Sequence, residues 1–352
     1  MTGVSGSVVL AVDGGNSKTD LALVRDDGEL LAHIRGPLSS PHHLGLEGAL
    51  RLLEGMLDEA LATAGRPRAT PVVDVAEIFL AGVDFPSEEE QMRDALEKRV
   101  WAARTVVGND TFAVLRAGTD RGWGVAVVCG AGINCVGVAP DGREARFPSL
   151  GAITGDWGGG YDVGLAALSA AARSEDGRGP ATSLERTVPA HYGFETPLEL
   201  ATAIHGGAIA HRRLIELAPL VLESCSADGV AAEIVDRLAG EVVTMVRSVL
   251  ARLGIEHEPA DVVLGGGLLA AGNGRLLDAI ARGLHALGPQ LVVHPTSAPP
   301  VVGAALLGLD ALGAGPEAHE RARRELTAVV GVDDELTRAV AEPATAGGPV
   351  GG

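Results

Sequence analysis

Residues Asp13–Asp20, DGGNSKTD, decide the fold assignment of this sequence. They stand between two short apolar runs, Val8–Val12 and Asp20–Val24, so two predicted strands are joined by a glycine turn. Because glycine has no Cβ, the backbone N–H groups of such a turn can approach a phosphate closely. An ordinary hairpin would use the same residues. The motif is not a P-loop, because the lysine spacing differs and a strand follows it instead of a helix.

Asp13 ends the first predicted strand and would face that phosphate. A carboxylate in this position needs a cation between the two negative groups, so we assign Asp13 to Mg²⁺, held through water. Ser17, Lys18 and Thr19 follow in the turn and can add hydrogen bonds or positive charge.

The composition is that of a folded, acidic protein of two or three domains. The 352 residues are 46% hydrophobic and 21% charged, which is close to average globular usage. The net charge of −18 repels phosphate backbones and argues against nucleic-acid binding. We expect no membrane partner and a cytoplasmic location, since neither a long apolar span nor a secretory leader is recognisable. The three cysteines form no metal or disulfide pattern.

The order of predicted elements indicates an α/β fold built from a repeat. A βββαβα order comes first, and a second copy begins at Trp123, so we expect a βββαβαβα unit used twice with a boundary near residues 115–122. The elements of the first copy are Val8–Val12, Asp20–Val24, Glu29–Ile34, a helix at Leu44–Ala64, Ala76–Ala81, a helix at Ser87–Arg99 and Thr105–Val107. Ser87, with a glutamate three residues later, predicts the start of its helix.

Helices predominate in the rest of the second copy. The predicted helices are Asp162–Ala172, Pro197–Ala203, Arg213–Glu223, Ala231–Leu253, Arg275–Leu287 and Val301–Leu312, with strands at Asp261–Leu264 and 291–294. The tail from about Ala341 is rich in Gly, Pro and Ala and is predicted to be unordered. The polar segment Ser174–Tyr192 predicts an insertion whose function the sequence does not reveal.

Two further glycine motifs follow strands. Cys129–Cys135, CGAGINC, is again strand, turn and strand, and a pair of matching loops could hold a polyphosphate from both sides of a cleft. Leu264–Asn273, LGGGLLAAGN, places three glycines between a strand and a helix. Close approach of a nucleotide or tight helix packing would both require them, and packing is favoured for an isolated triple glycine.

Carboxylates stand in two other motifs. Asp110, in the segment GND, follows a strand, and the carboxyl ends of strands are where open α/β folds present ligand groups. Asp156, in TGDWGGGYD, could accept hydroxyl hydrogens of a polyol. Helix capping is the alternative for both residues.

Six motifs in this order resemble the N-acetylglucosamine kinase and BadF/BadG ATPase family, within the superfamily of actin, hexokinase and the heat-shock-chaperone ATPases. The likeness covers about residues 8–315. Its motifs are DGGNSKTD, LAGVD (80–84), GND (108–110), CGAGIN (129–134), GDWGGG (155–160) and LGGG (264–267).

The resemblance implies two actin-like, ribonuclease H-like domains with an interdomain cleft. The domains are then residues 1–118 and 119–315, followed by a helical segment and tail at 316–352. It also implies ATP and Mg²⁺ as cofactors, a sugar substrate, and Asp110 as the catalytic base. The ATP-binding residues would be Gly14, Gly15, Asn16, Ser17, Lys18, Thr19, Gly130, Ala131, Gly132, Asn134, Gly265, Gly266 and Gly267. For the sugar, the resemblance implies His42, His43, Asp84, Asp110 and Asp156, and we add their neighbours Asn109, Trp157 and Asp162 as further candidates.

The sequence departs from this family at three of these positions. Ala131 stands where a hydroxyl residue is usual, and Trp157 where the animal N-acetylglucosamine kinases have Glu. Asp162 stands where those enzymes have Trp. The excess of acidic groups around the expected sugar pocket favours a cationic sugar, so we hypothesise 6-phosphorylation of D-glucosamine, with N-acetylglucosamine as the alternative. Asp162 could equally be an exposed carboxylate of a first helical turn.

Other classes of function explain fewer of these residues. A dehydratase-activating ATPase needs cysteines for an iron–sulfur cluster, and Cys129 and Cys135 are predicted on strands flanking the loop. A sugar-responsive repressor would carry a helix-turn-helix, and only seven residues precede the first strand, so we expect none. A non-catalytic, sugar-sensing ATP-binding protein stays an alternative. The oligomeric state is open, a homodimer being one option.

Overall fold

The computed structural model describes residues 6–296 and 298–341, and for residues 332–341 the backbone only. Within these ranges no helix has the length and apolar content needed to cross a bilayer. The predicted unordered tail lies almost entirely outside the described residues.

Five strands near the N-terminus form one mixed sheet, in the order β3-β2-β1-β4-β5. β1 pairs antiparallel with β2 and parallel with β4, and β4 is parallel to β5. The strands are β1 (Val8–Gly14), β2 (Lys18–Arg25), β3 (Leu30–Pro37), β4 (Val73–Leu80) and β5 (Ala102–Gly108). β1 is apolar on both faces and lies at the centre of the sheet, as a strand covered on both sides should.

Helices cover both faces of this first sheet. α1 (Pro41–Thr63) and α2 (Pro86–Glu97) pack on one side, in a core with buried Leu50, Leu53 and Trp101. On the other face lies α11 (Pro300–Leu312), followed along the chain by α12 (Pro316–Ala341). α11 contacts β1 so closely that a Cβ on Gly308 would lie 2.2 Å from Val9 Cγ1.

The second sheet repeats the topology of the first. Its order is β10-β9-β6-β7-β8, which read backwards is the same 3-2-1-4-5 arrangement. This confirms the predicted α/β class and the duplicated unit. The strands are β6 (Gly124–Cys129), β7 (Ile133–Val138), β8 (Glu144–Arg146), β9 (Asp261–Gly265) and β10 (Val292–Pro295).

A helical insertion separates β8 from the rest of the second repeat. α3 (Asp110–Gly118) leads into this second repeat. The helices between β8 and β9 are α4 (Gly159–Glu175), α5 (Leu184–His191), α6 (Pro197–His205), α7 (Ala218–Ser224) and α8 (Gly229–Leu253), and those between β9 and β10 are α9 (Gly267–Ala270) and α10 (Gly274–Leu287). α8 carries an apolar stripe from Ala231 to Leu253 that is buried against the second sheet.

By its contacts the chain divides into two compact units. The first unit contains residues 1–113 and 298–352, and the second contains residues 114–297. The segments predicted as domains from the sequence, 1–118, 119–315 and 316–352, stay a prediction.

Two local predictions were wrong. α2 begins after Phe85, not at Ser87: Glu88 Oε2 accepts the backbone N–H groups of Asp84 and Phe85 at 2.8 and 3.0 Å, so Pro86 becomes the first helical residue. The helix predicted at Arg213–Glu223 is a 3-10 helix at His211–Leu217 followed by α7.

The predicted positions of two cysteines are confirmed. Cys129 ends β6 and Cys135 lies within β7, and both are buried and free.

Candidate active site

Three predicted site residues lie at one edge of the first sheet. β1, β4 and β5 are parallel to one another, so their carboxyl ends meet at the same edge. Asp13 lies at that end of β1, Asp84 follows β4, and Asp110 follows β5.

Asp110 is the first residue of α3, but Asn109 caps this helix. Asn109 Oδ1 accepts the backbone N–H of Thr111 at 3.0 Å, and its amide donates to Asp84 Oδ1 at 2.8 Å. Loss of solvation and, after it, the charge of Asp84 together raise the pKa of Asp110 to about 6, although hydrogen bonds from Thr111 oppose the rise. A carboxylate with a pKa near neutrality is suited to accept a proton from substrate.

Asp13 is partly buried among other acidic groups. Burial raises the pKa of Asp13 well above its usual range, and the charges of Asp110 and Asp20 add to this, while Lys18 and Arg35 oppose it. A divalent cation beside Asp13 would offset the repulsion between these carboxylates.

Asp20 lies opposite Asp13 in the β1–β2 ladder and is almost fully buried. It accepts hydrogen bonds from His33 Nε2 at 2.9 Å and from Arg35 Nε at 2.8 Å, and Lys18 Nζ lies 3.7 Å away. Burial opposes its ionisation, but the bonds from His33 and Arg35 lower the pKa of Asp20 below its usual range. Asp20 therefore holds two basic side chains beside the first glycine loop.

The loop itself is a tight turn in which Gly15 N–H donates to the Lys18 carbonyl at 2.8 Å. Asn16 and Ser17 at its tip are exposed. Thr19 is buried, and its hydroxyl donates to the Pro37 carbonyl at 2.7 Å. A ligand can therefore reach Asn16, Ser17 and Lys18, whereas the Thr19 hydroxyl links β2 to β3.

Gly14 is required by packing. A Cβ at Gly14 would lie 2.2 Å from Ser39 Oγ and 2.4 Å from Leu80 Cδ2, distances that Cβ atoms do not adopt. The first glycine of the motif thus lets the segment after β3 approach the ends of β1 and β4.

That segment also contains the two predicted sugar-side histidines. His42 Nε2 lies 3.4 Å from Glu88 Oε1, so the structure brings His42 to the neighbourhood of Asp84. His43 is exposed, and its backbone N–H donates to the Ser40 carbonyl at 3.1 Å.

In the second unit, the glycine turn between β6 and β7 packs against the start of α4. Gly160 N–H donates to the Gly130 carbonyl at 2.8 Å, and Tyr161 N–H donates to the Ala131 carbonyl at 3.0 Å. Backbone hydrogen bonds therefore hold the motifs CGAGIN and GDWGGG against each other.

Glycine is needed on the α4 side of this contact. Gly159 has φ of +78°, and a Cβ there would lie 2.4 Å from the backbone of Gly132. A Cβ on Gly130 or Gly132 would meet no atom within 4 Å, so the other face of the loop is open. Asn134 Oδ1 accepts the Cys135 N–H at 2.7 Å.

The third glycine motif serves packing at two of its three positions. A Cβ on Gly265 would lie 2.7 Å from Val114 Cγ1. Gly266 has φ of +88°, and its Cβ would lie 2.5 Å from the Cys129 carbonyl oxygen. Only Gly267 of the three faces open space, which leaves it as the position in this motif that a ligand can approach.

Asp156 and Asp162 both have local partners. Thr154 Oγ1 donates to Asp156 Oδ2 at 2.6 Å. Gly158 N–H donates to Asp162 Oδ2 at 3.1 Å, so Asp162 stabilises the first turn of α4. It lies in that turn, as its alternative interpretation supposed, but it is half-buried and not exposed.

Trp157 lies beneath a guanidinium group. Arg237 Cζ is 3.8 Å from the centre of the Trp157 ring, and both residues line, with Asp162, a cavity of about 380 Å³. Such a cation–π contact stabilises the ring without a ligand.

Sequence reasoning missed Glu88, Arg35 and Arg237. Glu88 follows Asp84 by four residues in an acidic run, and Arg35 alternates with His33 on β3, so period-two spacing could have revealed Arg35. Arg237 is eighty positions beyond Trp157 along the chain, and no local signal announces their contact.

Three known proteins show similarity over most of the chain. An N-acetylmuramic acid/N-acetylglucosamine kinase of Clostridium acetobutylicum is 27% identical over 263 residues, 74% of this chain and 85% of that protein. An N-acetyl-D-glucosamine kinase of Dictyostelium discoideum is 25% identical over 327 residues, 87% of this chain and 99% of that protein. A solved chain from Chromobacterium violaceum, provisionally named an N-acetylglucosamine kinase, has the same fold with a TM-score of 0.68. It is 24% identical, and the match covers 86% of this chain and 99% of that one.

The family comparison covers both sheets. Residues 10–308 match the model of the BadF/BadG/BcrA/BcrD ATPase family, a range that includes every glycine loop and site carboxylate described above. The chain belongs to the BadF/BadG/BcrA/BcrD ATPase family.

Proposed function

We propose that this protein is an ATP-dependent kinase that phosphorylates the 6-hydroxyl of an amino sugar, with N-acetylglucosamine as the first candidate substrate. The observation that carries the proposal is Asp110: a carboxyl group at the carboxyl end of β5, with a pKa raised to about 6, beside Asp84 and Asn109. Family membership and the names of the two relatives support the same activity.

Asp110 is the proposed base. Its carboxylate would accept the proton of the sugar hydroxyl while that oxygen bonds to the γ-phosphorus and the bond to ADP breaks. Asn109 and Asp84 would orient the sugar, because their mutual hydrogen bond fixes both side chains next to the base. Positioning of this kind supplies much of the rate of phosphoryl transfer.

Asp13 is the proposed residue for Mg²⁺. The fit is chemical: Mg²⁺ prefers oxygen ligands, and the carboxylate of Asp13 lies among other acidic groups that leave it short of positive charge. When bound, Mg²⁺ would neutralise phosphate charge. The phosphates themselves would bind at Asn16, Ser17 and Lys18, the accessible part of the first loop.

The glycine loops of the second unit are proposed to contribute to ATP binding as well. Gly130, Gly132 and Gly267 each face open space, so a ligand can approach their backbone closely. Gly265 and Gly266 would act indirectly, by holding β9 against its neighbours.

The structure weakens one argument for glucosamine. Asp162, the acidic group that most favoured a cationic sugar, is bonded to Gly158 N–H. The two curated relatives are named for N-acetylated sugars. We therefore put N-acetylglucosamine before D-glucosamine, which stays the alternative.

A coupled assay for ADP tests this proposal. The purified protein would be supplied with ATP, Mg²⁺ and, separately, N-acetylglucosamine, D-glucosamine, N-acetylmuramic acid, glucose or no sugar. We expect sugar-dependent ADP release, greatest with N-acetylglucosamine, and a 6-phosphate in the product by NMR. ATP binding without sugar-dependent turnover would favour a sugar sensor instead, and activity confined to glucosamine would reverse the order of the two substrates.

A further inference from the structure

Three possible metal ligands meet near the start of α2. His42 comes from the start of α1, Asp84 follows β4, and Glu88 lies in the first turn of α2. One ligand atom from each residue lies within 4.8 Å of the others. His42 is half-exposed and the two carboxylates are partly buried, so a solute ion can reach the group.

Both carboxylate oxygens of Glu88 have hydrogen-bond partners. Its Oε2 accepts the backbone N–H groups of Asp84 and Phe85 at 2.8 and 3.0 Å. Its Oε1 lies 3.4 Å from His42 Nε2. Glu88 is thus oriented in advance, with one oxygen directed at the imidazole.

The hydrogen bond between these two atoms is long, and its length also suits two ligands of one shared metal. An N–H···O hydrogen bond is ordinarily about 2.7–3.2 Å long. Two ligands of a tetrahedral Zn²⁺, at about 2.0–2.2 Å from the metal, are about 3.3–3.6 Å apart. His42 and Glu88, at 3.4 Å, match the second spacing, and a carboxylate oxygen of Asp84 lies within 4.8 Å of both ligand atoms.

Asp84 has the support that a ligating carboxylate ordinarily receives. The amide of Asn109 donates to its Oδ1 at 2.8 Å. Hydrogen bonds of this kind orient metal ligands and raise affinity.

A buried hydroxyl lies beside His42. Ser40 Oγ is fully buried and has no hydrogen-bond partner. It shares the surface of Gly82 with the imidazole: a Cβ there would lie 2.7 Å from Ser40 Oγ and 3.0 Å from His42 Nδ1. An unpartnered buried hydroxyl is costly.

We propose that His42 Nε2 and the carboxylates of Asp84 and Glu88 bind one divalent transition-metal ion of the Zn²⁺ type, with a position left for water. An imidazole with two carboxylates favours zinc over Mg²⁺ or Ca²⁺, which take oxygen ligands. One consequence rests on the proposed function: His42 and Asp84 also belong to the proposed sugar site, so the metal inhibits by competing with sugar.

Metal binding is tested without ATP, Mg²⁺ or sugar. The full chain is titrated with Zn²⁺ against a chromogenic chelator, and bound zinc is counted after dialysis. We expect one strong site per chain, weakened at least tenfold in His42→Ala and in Glu88→Gln. His42→Ala is the decisive variant, since a half-exposed side chain can be removed without disturbing the core, and circular dichroism checks that it is folded.

His191→Ala is the matched control. His191 Nε2 lies 3.6 Å from Glu216 Oε2, a similar pair that belongs to no triad of metal-binding side chains within the described residues. Its loss should leave zinc affinity unchanged. The site is refuted if folded His42→Ala binds zinc as tightly as the wild type, or if the wild type binds none.

Kinetics test the competition separately. With an active kinase, Zn²⁺ should raise the KM for sugar several-fold at constant kcat, and less so in His42→Ala. Unchanged KM at saturating zinc would overturn the competition. Zinc binding through these residues in a chain that phosphorylates no sugar would leave the metal site standing and remove the proposed function instead.

Discussion

The side-chain amide of Asn109 donates a 2.8 Å hydrogen bond to the carboxylate of Asp84. Because Asn109 also caps α3, the orientation of Asp84 and the start of the helix that carries Asp110 depend on the same residue. Asn109→Ala should therefore lower kcat/KM for the sugar by about tenfold and destabilise the protein by about 1 kcal/mol through the lost cap. Steady-state kinetics and thermal unfolding measure the two effects.

The control for that variant is Asn273→Ala. Asn273 Oδ1 caps α10 by accepting the Leu276 N–H at 3.0 Å, so its loss should destabilise the protein similarly while leaving kcat/KM unchanged. Equal activity of the two variants would show that Asn109 acts through stability alone.

Asp110→Asn should lower kcat by about 10²–10⁴-fold, the usual contribution of a general base, because an amide cannot accept the hydroxyl proton. Sugar affinity by calorimetry should change only a few-fold. Asp120→Asn, at a carboxylate that is 89% exposed, should keep full activity. Near-normal kcat in Asp110→Asn would disprove the assignment.

The pH profile follows from the same carboxyl group. With a pKa of about 6, Asp110 is ionised and able to accept a proton above that pH and is protonated below it. We expect kcat/KM to be level above pH 7 and to fall about tenfold per pH unit below pH 6. The small residual activity of Asp110→Asn should lack this step; a step that persists in the variant belongs to another group.

Glu77 should make stability depend on pH. It is buried in β4, and burial raises its pKa to about 7, with Asp310 adding to the rise and Arg104 opposing it. The native state therefore keeps a proton that the unfolded chain loses, so this residue's contribution to stability falls as pH rises from about 4.5 to 7.

Glu77→Gln should then raise the free energy of unfolding at pH 8 by up to about 3 kcal/mol, and the gain should shrink towards pH 5. Denaturant unfolding at both pH values measures it. Glu47→Gln, at an exposed glutamate, should show no such trend. A gain independent of pH would contradict the assignment.

Replacement by alanine should have opposite effects on protein stability at two adjacent glycines, Gly266 and Gly267. Gly266→Ala places a Cβ 2.5 Å from the Cys129 carbonyl oxygen at a φ of +88°, so we expect a loss of about 2 kcal/mol or more. Gly267→Ala meets nothing within 4 Å at the start of α9 and should keep wild-type stability or gain slightly. Thermal unfolding compares them, and equal midpoints would refute the packing function of Gly266.

The fold could be predicted because its signals are local. Apolar runs separated by glycine turns mark each strand of the βββαβαβα unit, and a strand such as β1, buried on both faces, leaves a continuous apolar segment. α2 was misplaced because its cap is made by Glu88 within the helix, while Ser87 offered a stronger local pattern.

Within the candidate site, the motifs predicted which residues end a strand, but not what each side chain contacts. Asp162 and Asp156 have equal standing in the sequence, yet only Asp162 bonds to the first turn of α4. The contact of Arg237 with Trp157 depends on packing between α8 and the loop before α4, which no spacing rule encodes.

The path of α11 has a consequence for synthesis. Val301, Val302 and Leu306 of this helix cover the face of the first sheet that carries Val9 and Ala11, although nearly three hundred residues separate them along the chain. While the ribosome is still making the second unit, that apolar face lacks its cover from α11. The N-terminal sheet is thus translated first but completed last, and until the C-terminal helices emerge it is the surface that a chaperone would need to shield.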